Sequence, residues 1–174
     1  MESSQKVVTR FAPSPTGKAH AGSYRTAMYA WLYARKHKGT FILRIEDTDT
    51  ARNDKASELD IYEALEWLGL DYDKKYIQSE HVARHKQILQ TLIDTGHAYV
   101  SREEAKDGSG VIKDIVRFKN PNKVVTFHDE IRGSISTDTT DLGDFVIARS
   151  MDEPLYHLAV IVDDHDEGVT HVIR

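Results

Sequence analysis

The sequence predicts an α/β fold, with a parallel β-sheet whose strands alternate with helices and a small antiparallel β-insertion in the second half. Two observations carry this prediction. Short β-branched or apolar runs at residues 6–11 and 40–45 alternate with segments in which apolar residues recur at helical spacing. After residue 102 the pattern changes to short alternating runs separated by Asn-Pro-Asn, Asp-Glu and glycine-rich breaks, which is typical of antiparallel strands.

In the first half, the predicted elements are apolar runs bounded by glycine or proline. Residues 6–11 predict a buried strand that ends at the turn from Pro13 to Gly17. From Gly22 onward the spacing predicts a helix of about four turns, and Gly39 ends it after a basic stretch that suits a helix C-terminus. The remaining predictions are a strand at 40–45, helices at about 54–68 and 79–95, and a strand at 98–100, an alternation that implies parallel strands.

The second half contains shorter predicted elements. Antiparallel strands are predicted at residues 115–118, 124–127, 131–136 and 145–147. A helical pattern then returns from Tyr156 to Asp164 and is broken by Gly168. The β-branched run Val169–Ile173 predicts a final strand that ends at Arg174.

Composition excludes several classes of protein. The chain has 174 residues, 23 Lys and Arg against 28 Asp and Glu, and no cysteine. The lack of cysteine excludes a disulfide framework, a thiolate zinc site and a cysteine nucleophile, so no zinc is expected. A formal charge of -5 argues against a surface that binds polyanions everywhere. No apolar run approaches the roughly 18 residues that span a bilayer, and the N-terminus has no apolar signal segment. We therefore expect a cytoplasmic protein without membrane contact.

The segment from Arg10 to Ser23 joins a strand, a Pro/Gly loop and a helix start. A helix start presents unpaired N–H groups and a partial positive charge, and glycine lets a phosphate chain approach the backbone. The spacing matches neither the P-loop nor the dinucleotide-binding pattern. The sequence therefore predicts a nucleotide site of another kind.

Three ordered motifs resemble a single family. F-A-P-S-P-T-G at 11–17, followed by H-A-G-S at 20–23, is similar to the H-I-G-H region of class I aminoacyl-tRNA synthetases, in the P-S-P-T-G-x-x-H-x-G form of the glutamyl and glutaminyl branch. F-I-L-R-I-E-D-T-D at 41–49 resembles the R-I-E-D-T-D motif of glutamyl-tRNA synthetases. The match is completed by L-G-D-F-V-I at 142–147, Y-H-L-A-V at 156–160, V-D-D at 162–164 and G-V-T-H-V-I-R at 168–174.

The resemblance implies a Rossmann-like nucleotide-binding domain. Its first half would be residues 1–101, a β-rich insertion like the family's connective peptide would be 102–150, and the return to the domain would be 151–174. Family members continue into a G-E-D-H stretch, a K-M-S-K-S loop and an anticodon-binding region, which this sequence lacks. We therefore expect an N-terminal fragment that is weak or inactive alone and that has a truncated sheet edge available for self-association.

The implied activity is that of a glutamate-tRNA ligase, which activates glutamate with ATP and Mg²⁺ bound through ATP, and transfers it to the acceptor end of tRNA(Glu). By motif position, Arg10 and Arg174 would hold carboxylates and Glu46 the ammonium group, and guanidinium and carboxylate groups suit a dianionic amino acid. The other implied contacts are Ser14 and Tyr156 for glutamate, and Pro13, Thr16, Gly17, His20 and Gly22 for ATP, with His20 and Gly22 also acting in catalysis.

Two other functions stay open. A glutamyl-queuosine tRNA(Asp) synthetase-like enzyme, which attaches glutamate to a modified tRNA base, resembles the same motifs. An inactive paralogue that keeps an ATP- or tRNA-binding pocket is the non-enzymatic alternative. The R-I-E-D-T-D form makes glutaminyl specificity less favoured.

Several histidines and acids are assigned no catalytic or metal-binding role. Two histidines one helical turn apart lack the third ligand that a metal site needs, so no metal site is predicted. Two acidic pairs are interpreted as loop and helix-cap acids and not as a two-carboxylate hydrolase or metal site, because adjacent residues point to different sides. These residues are His81 and His85 for the first case, and Asp47/Asp49 and Asp163/Asp164 for the second.

Overall fold

The computed structural model describes residues 6–18, 20–49, 52–104 and 110–174. They form two compact units, the first running to His81 and including Asp163–Arg174, and the second being Val82–Val162. The division of the chain at residues 101 and 150 stays a prediction. Within the described ranges, no helix combines the length and the apolar character needed to cross a membrane.

The first unit is built on a parallel sheet with the strand order β1 (Val8–Phe11), β2 (Thr40–Ile45), β3 (Lys74–Ile77). Every residue of β2 is buried, which explains its nearly unbroken apolar run, since a central parallel strand is covered on both faces. Because the strands are parallel, β1 and β2 present their carboxyl ends at the same edge of the sheet. The predicted α/β class with a parallel sheet is confirmed.

Two helices connect these strands along the chain, α1 (Ala21–Lys36) between β1 and β2, and α2 (Lys55–Trp67) between β2 and β3. The carboxylate of Asp54 caps α2 by accepting hydrogen bonds from the backbone N–H groups of Ala56 and Ser57. Apolar side chains from the helices and strands form one core. It consists of Phe11, Ala27, Ala30, Ala34, Phe41, Leu43, Ile45, Ile61, Leu65 and Leu70.

Strand β3 was not predicted from the sequence. Its residues Lys74 and Lys75 are exposed and only Tyr76 and Ile77 are partly buried. The segment therefore carries no apolar run, and lysine is a residue type that suits an edge strand. The pairing with β2 forms it instead, with Ile42 opposite Lys74 and Ile45 opposite Ile77.

The predicted final strand at Val169–Ile173 is wrong, because these described residues form no strand. The backbone N–H groups of Thr170 and His171 both donate to the carbonyl oxygen of Val8, at 2.9 and 3.1 Å. The N–H of Val8 donates to the side-chain hydroxyl of Thr170 at 2.8 Å. A threonine side chain thus takes the position of a backbone acceptor, and the segment follows the start of β1 without forming a strand ladder.

The second unit combines helix α3 (Val82–Asp94) with an antiparallel sheet and a separate hairpin. The sheet has the order β4 (Ala98–Glu104), β5 (Ile112–Phe118), β8 (Phe145–Ser150), β9 (Glu153–Pro154), and the hairpin pairs β6 (Val124–Asp129) with β7 (Gly133–Asp138). Helix α4 (Tyr156–Asp166) begins in this unit and ends in the first. The predicted antiparallel strands are confirmed. The core residues of the unit are Leu89, Ala98, Val116, Ile147, Ala148, Leu158 and Val162.

The strand predicted at 98–100 does not join the parallel strands, contrary to the βαβ interpretation. It is the start of β4, which pairs antiparallel with β5 from Ala98 opposite Phe118 to Glu104 opposite Ile112. Burial along β4 is confined to Ala98, with its other residues partly or fully exposed. A strand with one solvated face is typical of an antiparallel sheet.

The strand predicted at 131–136 begins two residues later, at Gly133. The carboxylate of Asp129 accepts hydrogen bonds from the backbone N–H groups of Ile131 and Arg132, at 2.9 and 2.8 Å. This side-chain turn reverses the chain, and it leaves Ile131 94% exposed at the tip of the hairpin. An apolar residue was therefore mistaken for the start of a strand.

Candidate active site

The loop after β1 is fixed to two later segments of the first unit. The backbone N–H of Glu46, directly after β2, donates to the carbonyl oxygen of Pro13 at 2.9 Å. The N–H of Asp54 donates to the carbonyl oxygen of Pro15 at the same distance. The loop that follows β1 thus joins the carboxyl end of β2 to the start of α2.

Part of the loop after β1 is exposed, so that its backbone groups are accessible to solvent. Ser14, Thr16 and Gly17 are all exposed, and the N–H of Thr16 donates back to the carbonyl oxygen of Ser14 at 2.9 Å. Gly17 has a φ of +148°, a conformation that glycine adopts without steric cost. A Cβ placed there would meet no atom of the described residues within 4 Å, so within these ranges the surface over Gly17 is open.

His20 caps the start of α1. Its Nδ1 accepts a hydrogen bond of 3.1 Å from the backbone N–H of Gly22, and its carbonyl oxygen accepts from the N–H groups of Ser23 and Tyr24. Because Nδ1 is an acceptor, the neutral ring carries its proton on Nε2. The cap therefore directs one side of the imidazole to the helix and keeps an N–H donor on the other.

Gly22 accommodates the ring of His20. A Cβ at Gly22 would lie 2.8 Å from Cε1 and 3.0 Å from Nδ1 of His20, closer than side-chain carbons approach one another. The backbone N–H of Gly22 is already used by Nδ1. The feature that Gly22 contributes is therefore the space for the imidazole ring rather than an open N–H donor.

A cluster of charged side chains lies at the carboxyl ends of β1 and β2. Its arginines come from these two strands and pair with acids at the end of α4 and directly after it. We call it the charge cluster, and its members are Arg10, Arg44, Glu46, Asp164 and Glu167. Arg10 contacts Asp164 at two points, from Nε to Oδ1 at 3.1 Å and from Nη2 to Oδ2 at 3.2 Å. Arg44 contacts Asp164 at 2.8 Å, Glu167 at 2.9 Å and Glu46 at 3.3 Å.

Burial raises the pKa of two carboxyl groups in this cluster, those of Glu46 and Glu167. Burial raises the pKa of Glu46, against the opposing effect of Arg44 and Arg10. The pKa of Glu167 is raised to about 7, mainly by burial, although Arg44 opposes the rise. With every carboxylate ionised, the cluster carries one negative charge in excess, and protonation of Glu167 makes it neutral.

A second polar chain holds the segment after β2. The hydroxyl of Thr48 donates to Oε1 of Gln78 at 3.1 Å, and Nε2 of Gln78 donates to Asp163 at 2.7 Å. The carboxylate of Asp47 accepts from the N–H and the hydroxyl of Ser79, at 2.8 and 2.6 Å. The segment that carries Glu46 is therefore restrained on both sides.

The site residues predicted from the sequence are distributed over both units. Arg10 and Glu46 belong to the same charge cluster, while Arg174 is exposed. Ser14 lies on the exposed part of the loop after β1. Tyr156 is the first residue of α4, in the second unit. The roles of all these residues stay predictions.

No site role was predicted for Arg44, and the interpretation of Asp163 and Asp164 was wrong. These two acids lie within α4, where Asp163 is buried against Gln78 and Asp164 pairs with arginines, so their interpretation as loop or cap acids is wrong. The position of Arg44 could have predicted its role, because a charged residue in an otherwise largely apolar, buried strand needs a partner of opposite charge. The sequence gives no such indication for Glu167, because this residue follows α4 in a polar stretch.

The described residues contain no group of three or more His, Asp or Glu side chains arranged to hold a metal ion. The histidines at positions 81 and 85 differ in their settings, since His81 ends a 3-10 helix and His85 is buried in α3. The ring of His81 stacks at a tilt on Tyr76, with 5.8 Å between centroids.

Comparison with known proteins identifies a matching family model, described as tRNA synthetases class I (E and Q), catalytic domain. It matches residues 6–109 and 100–174. Among curated proteins, glutamate-tRNA ligase 2 of Neorickettsia sennetsu is 48% identical over 168 residues, which cover 97% of this chain and 39% of that protein. Glutamate-tRNA ligase of Legionella pneumophila is 42% identical over 197 residues, which cover 97% of this chain and 42% of that protein.

Two solved structures that are similar to this chain are also glutamate-tRNA ligases. A crystal structure of a glutamate tRNA ligase from Elizabethkingia meningosepticum in complex with its amino acid has a TM-score of 0.88 to this chain at 33% identity. The match covers 97% of this chain and 43% of that one. The chain thus spans less than half the length of the relatives that it matches.

Proposed function

The chain belongs to the catalytic-domain family of the class I tRNA synthetases (E and Q), and from that premise we propose that it activates glutamate with ATP for transfer to tRNA. The choice of glutamate is supported by the relatives at 48% and 42% identity, which are glutamate-tRNA ligases. The family uses ATP, so the loop after β1 and the start of α1 are the natural place for the nucleotide.

The reaction that we propose has two steps. A carboxylate oxygen of glutamate attacks the α-phosphorus of ATP, the bond to the bridging oxygen breaks, and pyrophosphate leaves. A ribose hydroxyl at the tRNA acceptor end then attacks the acyl carbon and releases AMP. Neither step needs a nucleophile from the protein, so the protein contributes positioning and stabilisation of charge.

The charge cluster is the observation that carries the proposal for glutamate. Arg10 and Glu46 are opposite charges held in the same buried network, as the binding of a carboxylate and an ammonium group requires. Arg174 would supply the second guanidinium, and Ser14 and Tyr156 would add hydrogen bonds. A shorter amino acid would lose one of these charged contacts, which would lower affinity more than a lost apolar contact would.

For ATP, the proposed contacts are Pro13, Thr16, Gly17 and His20, and Gly22 is proposed to act by leaving space for the His20 ring. The open surface over Gly17 admits a phosphate chain close to the backbone. The Nε2–H that the cap leaves on His20 is a donor for a phosphate oxygen. Mg²⁺ would bind through the phosphates of ATP and offset their negative charge. The corresponding partners are L-glutamate, ATP and the acceptor end of tRNA(Glu), and the corresponding location is the cytoplasm.

Calorimetry with ATP and with a non-hydrolysable sulfamoyl analogue of glutamyl-adenylate tests the proposal. We expect the analogue to bind more tightly than ATP, and Glu46→Ala or Arg10→Ala to weaken the analogue by about 100-fold. Both variants should change the ATP affinity by less than about three-fold. If neither substitution changes the Kd of the analogue, the result would instead support an inactive nucleotide-binding paralogue.

A further inference from the structure

The two-point contact between Arg10 and Asp164 joins residues that are 154 positions apart in the chain. We propose that Asp164 is a positioning residue, which fixes the guanidinium of Arg10 for a substrate carboxylate and couples it through Arg44 to Glu46. This inference rests on the proposed function, because it assumes that Arg10 and Glu46 contact the amino acid.

The geometry of the guanidinium supports this role. A guanidinium carries five N–H donors in one plane and can donate two hydrogen bonds to a carboxylate along either of two edges. Asp164 occupies the edge formed by Nε and Nη2 of Arg10. The edge that includes Nη1 lies outside this pair and is the one that suits a second carboxylate. Asp164 therefore holds the plane of Arg10 while the other edge serves binding.

Asp164 also connects the two predicted substrate contacts to each other. Its Oδ1 lies 3.1 Å from Nε of Arg10 and 2.8 Å from Nη1 of Arg44. Nη2 of Arg44 in turn lies 3.3 Å from Oε1 of Glu46. Charges thus alternate from Arg10 to Glu46, and a displacement of Asp164 is transmitted to both ends. Because these side chains are buried, their positions depend on one another.

A purely structural role and an opposite electrostatic role are the competing explanations. If Asp164 only stabilised the fold, its loss would lower stability without a selective loss of amino-acid affinity. If Asp164 mainly neutralised Arg10, its removal would strengthen the attraction for a substrate carboxylate. A positioning role predicts a selective loss of affinity for the amino-acid part of the ligand.

The test is calorimetry of the 174-residue chain and its Asp164→Asn variant with ATP and with the sulfamoyl analogue. We expect D164N to raise the Kd of the analogue about ten-fold and to leave the Kd of ATP within about two-fold. Asp73→Asn is the matched control, because Asp73 also pairs with an arginine, Arg35 at 2.7 Å, and accepts from the N–H of Phe41 at 2.7 Å. The control should leave both Kd values within about two-fold.

A double variant shows whether Asp164 acts through Arg10. Lysine has no planar fork to form the two-point contact, so in an Arg10→Lys background D164N should keep only the part of its effect that reaches Glu46 through Arg44, and should change the analogue Kd by less than about five-fold. A full ten-fold effect in that background would overturn the positioning role. So would tighter analogue binding by D164N, or a change below about three-fold.

Two further results separate the inference from its premise. If the unmodified chain does not bind the analogue, the proposed function fails and the role of Asp164 fails with it. If the unmodified chain binds and D164N binds equally well, only the role of Asp164 fails. Should D164N not fold, Asp164→Glu keeps the charge and moves it by one methylene. A rise of about three-fold or more in its analogue Kd supports the inference, and a smaller change overturns it.

Discussion

The backbone N–H of Glu46 donates a 2.9 Å hydrogen bond to the carbonyl oxygen of Pro13. This bond ties the residue proposed for the ammonium group of glutamate to the loop proposed for ATP. Both segments follow neighbouring parallel strands, so the sheet sets their separation. The proposed sites for glutamate and ATP are thus linked by a backbone hydrogen bond. The side chains at each site can therefore be substituted one at a time without removing this link.

The space over Gly22 gives the first prediction. Gly22→Ala should raise the Kd of ATP about ten-fold, because the new Cβ displaces the ring of His20 and with it the Nε2–H donor. The free energy of unfolding should change by less than about 1 kcal/mol, since the lost cap is offset by the better helix propensity of alanine. Calorimetry with ATP and urea unfolding measure the two effects.

Ser23→Ala is the control for this substitution, because it lies next to Gly22 and its side chain is not part of the cap. It should leave the ATP affinity unchanged within about two-fold. An unchanged ATP affinity in the Gly22→Ala variant would show that the position of the His20 ring does not matter for the nucleotide.

The burial of Arg44 gives the second prediction. Arg44 is 0% exposed and pairs with Glu46, Asp164 and Glu167. Arg44→Met should lower the free energy of unfolding at neutral pH by about 3 to 5 kcal/mol, because buried carboxylates then lose their cation. Urea unfolding followed by circular dichroism measures the loss. The loss should shrink at lower pH as the carboxylates become protonated.

Arg35→Met is the matched control, because Arg35 also pairs with two carboxylates, but at the surface, where Asp71 is 75% exposed. Solvent screens such pairs, so the expected cost is about 1 kcal/mol or less. Equal costs for the two arginines would mean that burial adds nothing to the importance of Arg44.

The raised pKa of Glu167 gives the third prediction. The folded state holds this proton up to about pH 7, whereas the unfolded chain releases it near the ordinary value of 4.5. Between these values the folded state binds more protons, so the free energy of unfolding falls as pH rises. With the side chain only 4% exposed, the decline can reach about 3 kcal/mol.

Glu167→Gln should remove this decline, because glutamine does not titrate. We expect the stability of the variant relative to the unmodified chain to increase from pH 5 to pH 8 and then to level off. Urea unfolding at a series of pH values gives the difference. A difference that stays constant across this range would show that Glu167 titrates at its ordinary value.

The cap of α2 gives the fourth prediction. Asp54→Ala should lower the melting temperature by about 2 to 4 °C, because the N–H groups of Ala56 and Ser57 lose their acceptor. Hydrogen bonds from Ser57 and Ala56 lower the pKa of Asp54, so in the unmodified chain this stabilisation is lost as pH falls through the lowered value. Glu63→Ala, which removes an exposed acid from the middle of α2, should leave the melting temperature within about 1 °C.

Local patterns predicted the elements that carry an apolar run. β2 was predicted with its observed bounds, Thr40–Ile45, and α2 lies within the predicted range of 54–68. β3 was missed because its lysines lie at the edge of the sheet, and Val169–Ile173 was overpredicted because Thr170 bonds to Val8 through its side chain. In both cases a partner distant in sequence decides the structure, and no local pattern contains that partner.

For the candidate site, the motifs predicted which segments come together but not how their charges are arranged. Arg10 and Glu46 were singled out, and the structure places both in the charge cluster. Their connection through Asp164 and Arg44 was missed, because the contact of Arg10 with Asp164 spans 154 positions. The pairing depends on the position of the end of α4 beside the sheet. The spacing of residues within one motif does not predict that position.

The first unit is assembled from two stretches that are separated in sequence by the whole of Val82–Val162. During synthesis on a ribosome, Arg10 and Arg44 emerge before Asp164 and Glu167, so in the early chain Arg10 lacks its partner Asp164 and Arg44 has only Glu46. Burial of Arg10 is therefore favourable only once the later stretch is made, because a buried cation without a counter-charge opposes compaction. Contacts that span so long a stretch of chain slow folding, because a large loop must close before they can form.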